Sequence, residues 1–272
     1  MIIFPNPHPD YPNDWMLVKQ SDHDDHSGYI ASHMVSPQYW QPTDKRLLTI
    51  AVAMHDTGSA SDEDHPLIHM EGEIGRPVSF WTVSPDEHIE LHRIGVRAAQ
   101  RVHPYCALLI SMHVVGIHRD RLHIDPSPNR WHMPEVSTPA VEAFIAEQIA
   151  LQQQLRPEAE YRLGVKLSDE RLMNDFKIFE LIDIISTQFS ACGLADREMT
   201  YVPNAVGHPM TVSLTRQGEW EFRITPFPFA SQRFDCPVMA RRIPKRVFTS
   251  HDDFRATWYA APQVVLPYFC SG

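Results

Sequence analysis

Along the first 195 or so positions, apolar residues recur mostly at helical spacing; beyond them they alternate with polar ones. "WMLVKQ" (15–20) reads as a short strand or an extended lead-in. "SDHDDHSGYIASHMV" then starts like a helix, with Ser21 as N-cap and Asp24 three residues on imitating a capping box, although Gly28 weakens it. Thr43 can cap a second helix over about 44–56, with Leu48, Val52 and His55 on one side. Residues 57–83 carry Gly, Pro, Ser and many acids and read as a long loop. Ser84, Pro85 and Glu87 form a strong helix start for 84–102, and 104–118 is an apolar helix, wholly buried. A Pro-rich loop covers about 120–137, Thr138-Pro139 opens a helix through about 155, and Ser168 opens "DERLMNDFKIFELIDIISTQFSAC", nearly six turns.

After Ala195 the texture changes. "MTVSLTR" and "EWEFRIT" flank Gln217-Gly218 and predict a β-hairpin. "CPVMARRI" and "QVVLPYF" are two further strands, with a short helix capped at Ser250 between them. The expected fold class is therefore mainly α: a helical bundle over 1–195 with a small β-rich extension, 196–272, packed on it.

Composition adds limits. Of the 272 residues 43% are apolar and 21% charged, enough for a real core. The net charge of −10 argues against nucleic-acid binding, which relies on Lys and Arg neutralising phosphates. Cys106, Cys192, Cys236 and Cys270 are scattered and read as free thiols in a reducing compartment. The opening stretch lacks a basic segment followed by a long apolar one, and no apolar run approaches the roughly 18 residues of a membrane span. The expectation is a soluble, cytoplasmic protein with no membrane partner.

Histidine changes the picture more. There are 16, and 14 of them fall between His8 and His132. Imidazole is the commonest metal ligand and titrates near neutral pH. Phosphate-cradling, dinucleotide and nucleophile-elbow motifs are missing. What remains is a set of His and Asp residues on separate helices: His23 or His26, His55 and Asp56, His88 and His92, His113, and Asp183. Leu172, Phe176, Phe179, Asp183 and Ser186 fall at i, i+4, i+7, i+11 and i+14, which places a carboxylate on an apolar stripe. Such a group must be paired, hydrogen-bonded, neutralised or metal-bound. Inward His and Asp from several helices are how metal sites are built in bundles. His88 and His92 share a helix face, but Glu90 lies on the opposite side, which argues against a metalloprotease H-E-x-x-H site. His8, His65, His69, His118, His123 and His132 read as loop or helix-end residues, solvated by default, and Asp22, Asp24 and Asp25 as a solvated helix start.

The order His23 … His55-Asp56 … His92 … His113 … Asp183 resembles the HD-domain superfamily of metal-dependent phosphohydrolases. More closely, "QSDHDDHSG", "AMHDTG", "GRPVSF", "HPYCALLISMH", "FELIDIIS" and "ITPFPF" resemble an HD-like family catalogued as domain of unknown function 3891. The resemblance implies a helical HD core with His23, His55, Asp56 and Asp183 around one metal, and His92 and His113 holding a second. His26 is the rival for His23, and His88 for His92. Ser59 stands where the HD-GYP subgroup has Lys, and the G-Y-P signature is absent, which argues against cyclic-dinucleotide hydrolysis in that style. Four imidazoles with two carboxylates suit one or two divalent transition metal ions: Fe, Mn, Zn or Ni. The implied activity is hydrolysis of a small phosphorylated molecule, with Asp56 and Asp183 as catalytic groups, Arg93 and Arg97 near the phosphate and 57–83 as lid. A di-iron oxygenase and a non-catalytic ligand-binding HD module are the alternatives.

Overall fold

Asp169–Ser190 (α7) is the helix around which the rest is arranged. Its C-terminal half is buried on nearly every side, polar residues such as Ser186 and Gln188 included. Phe179, Leu181, Ile182, Ile185 and Phe189 are at most 1% exposed. The computed structural model, which describes residues 1–4, 11–121, 139–191 and 196–272, packs four elements on this helix. They are Gln20–His33 (α1), Lys45–Val52 (α2), Pro104–Arg121 (α5) and Arg197–Pro203 (β3). Pro85–Val102 (α4) and Pro139–Leu163 (α6) flank α5, and Ala60–Asp64 (α3) is a short turn of helix after α2.

Several starts are as the side chains dictate. Ser84 and Glu87 close a capping box on α4, and Ser168 accepts from Arg171 N at the start of α7. Other boundaries differ. Asp44, not Thr43, caps α2, accepting from Leu47 N at 2.8 Å. Thr43 instead donates its hydroxyl (2.5 Å) and its amide (3.1 Å) to the buried Asp175 of α7. Helix α1 begins at Gln20, and Ser21 does not cap it. The Glu63 carboxylate, reaching over from α3, accepts from the amides of Gln20 and Ser21 and from the Ser21 hydroxyl. Gly28 is where α1 passes the end of α2: a Cβ there would lie 2.6 Å from the Ala53 Cβ. The stretch 57–83 is not plain loop, for it holds α3 and 3-10 turns at Thr57–Ser59 and Phe80–Thr82. Helix α6 runs past Pro157 to Leu163, beyond the expected end near 155. The expected Pro-rich loop near 120–137 falls almost wholly outside the described residues.

The fold class is not mainly α. Half of the chain is helical and 20% is strand, in sheets of four and five strands, so the protein is α+β. The four-stranded sheet joins Ile2–Ile3 (β1) and Asp14–Val18 (β2) to Val238–Pro244 (β7) and Gln263–Leu266 (β8). Trp15 pairs with Ile243 and Leu17 with Arg241. The β structure is therefore no small C-terminal appendage. The stretches holding β2 and β7 were legible locally, the first as a short strand or extended lead-in, but their pairing spans more than 200 positions, and local pattern holds no trace of it. The five-stranded sheet runs β3, Pro209–Arg216 (β4), Glu221–Thr225 (β5), Phe269–Ser271 (β9), Arg233–Asp235 (β6). The expected hairpin is the β4–β5 pair, with Ser213 opposite Thr225, and Ser250 caps His251–Ala260 (α8) as read. Cys106, Cys236 and Cys270 are buried free thiols; Cys192 lies outside the described residues.

Asp175 is fully buried and accepts from Trp40 Nε1 (2.8 Å), Thr43 and Tyr105 Oη (2.8 Å), tying the segment before α2 to α5 and α7. Asp175→Ala leaves these donors stranded, at about 1–3 kcal/mol for each one that finds no water. The expected loss in denaturant unfolding is about 3 kcal/mol or more; a loss below about 1 kcal/mol would show that the network does not hold these elements together.

Candidate metal centre

Helix α2 stops at Val52, and the chain turns tightly through 53–56 before the 3-10 turn. The His55 Nδ1–H donates to Val52 O (2.7 Å) and also faces Asp24 Oδ1 (2.9 Å). That fixes the ring and directs Nε2 away from the helix end. Asp24 Oδ1 also accepts from Asp56 N at 3.0 Å, so one buried carboxylate sets both residues of the dipeptide.

Four segments meet at Asp183 on α7. His23 Nε2 from α1 lies 3.0 Å from Asp183 Oδ1, and His55 Nε2 lies 3.3 Å from the same oxygen. His113 Nε2 from α5 lies 3.9 Å from Asp183 Oδ2. Asp56 Oδ2 is 3.6 Å from His55 Nε2. His23, His55 and Asp56 form one group, and His55, His113 and Asp183 another, with donor atoms inside 4.8 Å of one another. Three further side chains support the donors. Gln20 Nε2 donates to Asp56 Oδ2 (2.6 Å), and Ser186 Oγ lies 2.9 Å from His23 Nδ1. Thr187 Oγ1 donates to Asp183 Oδ1 (3.3 Å).

The electrostatics follow from burying so many acids together. Burial resists charging of His55, yet Asp56, Asp24 and Asp183 outweigh it and hold the imidazole well above its ordinary range. Burial lifts Asp56 to about 6, against the pull of His55. Burial would raise Asp183 too, but His55, His23 and His113 bring it well below the usual carboxylate range. In the metal-free chain a proton on His55 Nε2 thus stands between two carboxylates, and a divalent cation bound there displaces it. The donors fit such an ion. Nitrogens and oxygens about 2.0–2.1 Å from a metal are about 3–3.4 Å apart, and the distances of 3.0, 3.3, 3.6 and 3.9 Å bracket that edge. A His held by a carboxylate on its far nitrogen, as Asp24 holds His55, is the usual support of a metal-binding imidazole.

So His23, His55, Asp56, His113 and Asp183 come together. His26 stands one step back: its Nδ1 is 2.9 Å from Ser186 Oγ, which orients His23. His88 and His92 lie elsewhere, on one face of α4 with His118 of α5 and the rings of Phe80 and Phe144 around them. Glu90 points the other way, bound to Arg93, which Glu147 also engages at 2.6 Å; Arg97 donates to Arg93 O. Two expectations are overturned. Asp24 is 3% exposed, no part of a solvated helix start, because Glu63 takes the helix end and leaves it facing His55. His118 is fully buried: it is no helix-end residue, because α5 continues past it to Arg121. His65 is exposed and His69 half-buried, while His8, His123 and His132 lie outside the described residues. A signal for Asp24 exists: Gln20, His23, Asp24, Ser27, Gly28 and Ala31 fall at i, i+3, i+4, i+7, i+8 and i+11, and all are buried.

A family model described as Protein of unknown function (DUF3891) matches residues 8–245. The chain belongs to the DUF3891 family. No curated protein and no solved structure matches it. The DUF3891 match spans every donor named above. Among the described residues no helix is long and apolar enough to cross a membrane.

Gly58, just past the dipeptide, lies against α4: a Cβ there would be 1.8 Å from Leu91 O, whereas one on Gly95 would meet nothing closer than 3.5 Å. Gly58→Ala should push the His55–Asp56 turn off α4 and cost about 3 kcal/mol, with weaker metal binding, while Gly95→Ala stays within about 1 kcal/mol of the wild type. Equal effects in thermal unfolding would dismiss this packing argument. A pH effect follows from His26, which burial and His23 hold down at about 3. Its folded value is below the unfolded one near 6.5, so its neutral form stabilises the fold above pH 6.5, and that stability fades as pH falls toward 3. With chelator present, His26→Gln should flatten the stability–pH curve in this window by up to about 1.4 kcal/mol per pH unit; parallel curves would contradict it.

Proposed function

We propose that this DUF3891 protein has an HD-type helical core and acts as a metal-dependent phosphohydrolase on a small phosphorylated molecule. The observation that carries the reading is the convergence of His23, His55, Asp56, His113 and Asp183, from α1, the turn after α2, α5 and α7, with facing donor atoms 3.0–3.9 Å apart. A divalent transition metal held there would act as Lewis acid on a phosphoryl oxygen and acidify a water. The chain's own residues do the rest. Asp24 and Val52 O fix the His55 ring, and Ser186 fixes His23, so the donors need no rearrangement. Asp56, held through Oδ2 by Gln20, would be fixed in place beside the cation and its water. Asp183, which accepts from the Thr187 hydroxyl, would supply negative charge to the cation. The net charge of −10 supports a small substrate over a nucleic acid.

Protein purified without chelator should carry Fe, Mn, Zn or Ni and release inorganic phosphate from at least one member of a panel of phosphomonoesters, phosphodiesters and nucleotides. His55→Ala and Asp56→Asn should lower the metal per chain and reduce turnover on the order of 10²–10⁴-fold. Unchanged metal content with full turnover in either variant refutes the assignment. Oxygen consumption by the iron form without phosphate release replaces it with di-iron oxygenase chemistry.

A further inference from the structure

We propose that Cys236 and Cys270 are a modification site: a dithiol that a low-molecular-weight disulfide oxidises to an intramolecular disulfide, fastening β6 to β9. Their sulfurs are 3.8 Å apart, and both residues are 0% exposed. The strand register explains the approach. Phe234 of β6 stands opposite Cys270 of β9, and Cys236 continues the ladder one step beyond β6, its amide donating to Tyr268 O at 2.7 Å. Side chains alternate along a strand, so Cys236 shares the face of Phe234 and is the diagonal neighbour of Cys270. Both thiols donate to one acceptor, the Phe234 carbonyl, at 3.8 and 3.6 Å.

Bonded sulfurs lie about 2.0 Å apart, so the pair must close by roughly 1.8 Å. Thin cover allows that. Strand β6 has three residues and lies at the edge of its sheet, and from 230 to 237 only Phe234 and Cys236 are buried. The Cys236 thiol thus lies one residue beneath the surface, in a short edge segment of the kind that opens locally. Burial and the Cys270 thiol push the Cys236 thiol up, so the closed protein keeps it unreactive and exchange proceeds through such openings. One cysteine thiolate attacks the oxidant, breaks its S–S bond and expels one thiol. The other then attacks the protein sulfur of that mixed disulfide and expels the second. The two cysteines lose two electrons and two protons, and the oxidant becomes two thiols. The bond closes a loop at its base. Across these 34 positions the chain leaves the five-stranded sheet, supplies β7 and β8 to the four-stranded one, and returns. A crosslink there restricts the unfolded chain.

The test equilibrates the full-length chain in oxidised or reduced glutathione, alkylates the remaining thiols after denaturation, and maps the peptides without reduction. In oxidised glutathione the map should show Cys236 linked to Cys270, and reduced glutathione should return both as free thiols. Cys106, buried in α5 with its thiol on Leu47 O at 3.3 Å, should stay free. The oxidised chain should melt about 5 °C higher than the reduced one, and Cys270→Ser should melt alike in both buffers. Free Cys236 and Cys270 in oxidised glutathione, glutathione on each of them separately, or links to Cys106 or Cys192 instead overturn the site. A linked pair with no rise in melting temperature overturns the fastening of β6 to β9. Should Cys270→Ser not fold, the peptide map and melting of the wild-type chain decide alone.

Discussion

Burying carboxylates is the constraint on which this molecule turns. Asp24, Asp56 and Asp183 sit within hydrogen-bonding or ion-pair reach of the His55 ring, and no protein interior tolerates that much negative charge without a matching positive one. Imidazoles supply part of the match, and a divalent cation could supply the remainder more completely than a proton can. The short contacts around the cluster then have one explanation. Gln20, Ser186, Thr187 and the Val52 carbonyl hold donor atoms at fixed places against their mutual repulsion.

Helix α7 shows how the same chemical group serves two ends. Asp175 and Asp183 lie eight positions apart, roughly 12 Å along the axis at about 1.5 Å per residue. Asp175 is met by neutral donors, an indole, a hydroxyl, a phenol and an amide, all from fixed parts of the fold. Its hydrogen bonds are complete, and it works as a fastener. Asp183 is met by imidazoles, whose own protonation can change. The first arrangement has no reason to react; the second can exchange a proton for a metal. Burial alone does not separate a structural carboxylate from a functional one, but the chemistry of its partners does.

What could be read from sequence follows the range of the interactions involved. The starts of α4 and α7 depend on Ser84, Glu87 and Ser168 and on amides three residues away, so they were legible, as was the β4–β5 hairpin around Gln217-Gly218. Asp183 was legible because a carboxylate interrupts an otherwise apolar stripe. The α+β class was not, because β2 finds β7 across more than 200 positions, and nothing in "DWMLV" names its partner. Asp24 failed for a subtler reason. An acid in the first turn of a helix is ordinarily a solvated partner of the dipole, and only Glu63, forty residues on, takes over that task and frees Asp24 to turn inward.

Helix α1 carries this point furthest. Its buried face holds Gln20, His23, Asp24, His26 and Ser27, so the usual rule that apolar residues mark the inside is nearly inverted. A helix designed only for stability would present leucines there. Such local departures from folding logic concentrate where a site has to be built. The apolar face that α1 lacks is supplied by its neighbours α2, α7 and β7, whose Leu48, Val52, Phe179, Ile182, Val238 and Ala240 belong, with Val18 of β2, to the main core. The long-range strand pairing that hides the fold class from sequence thus has a purpose. It anchors the chain leading into a helix whose own inward face is polar.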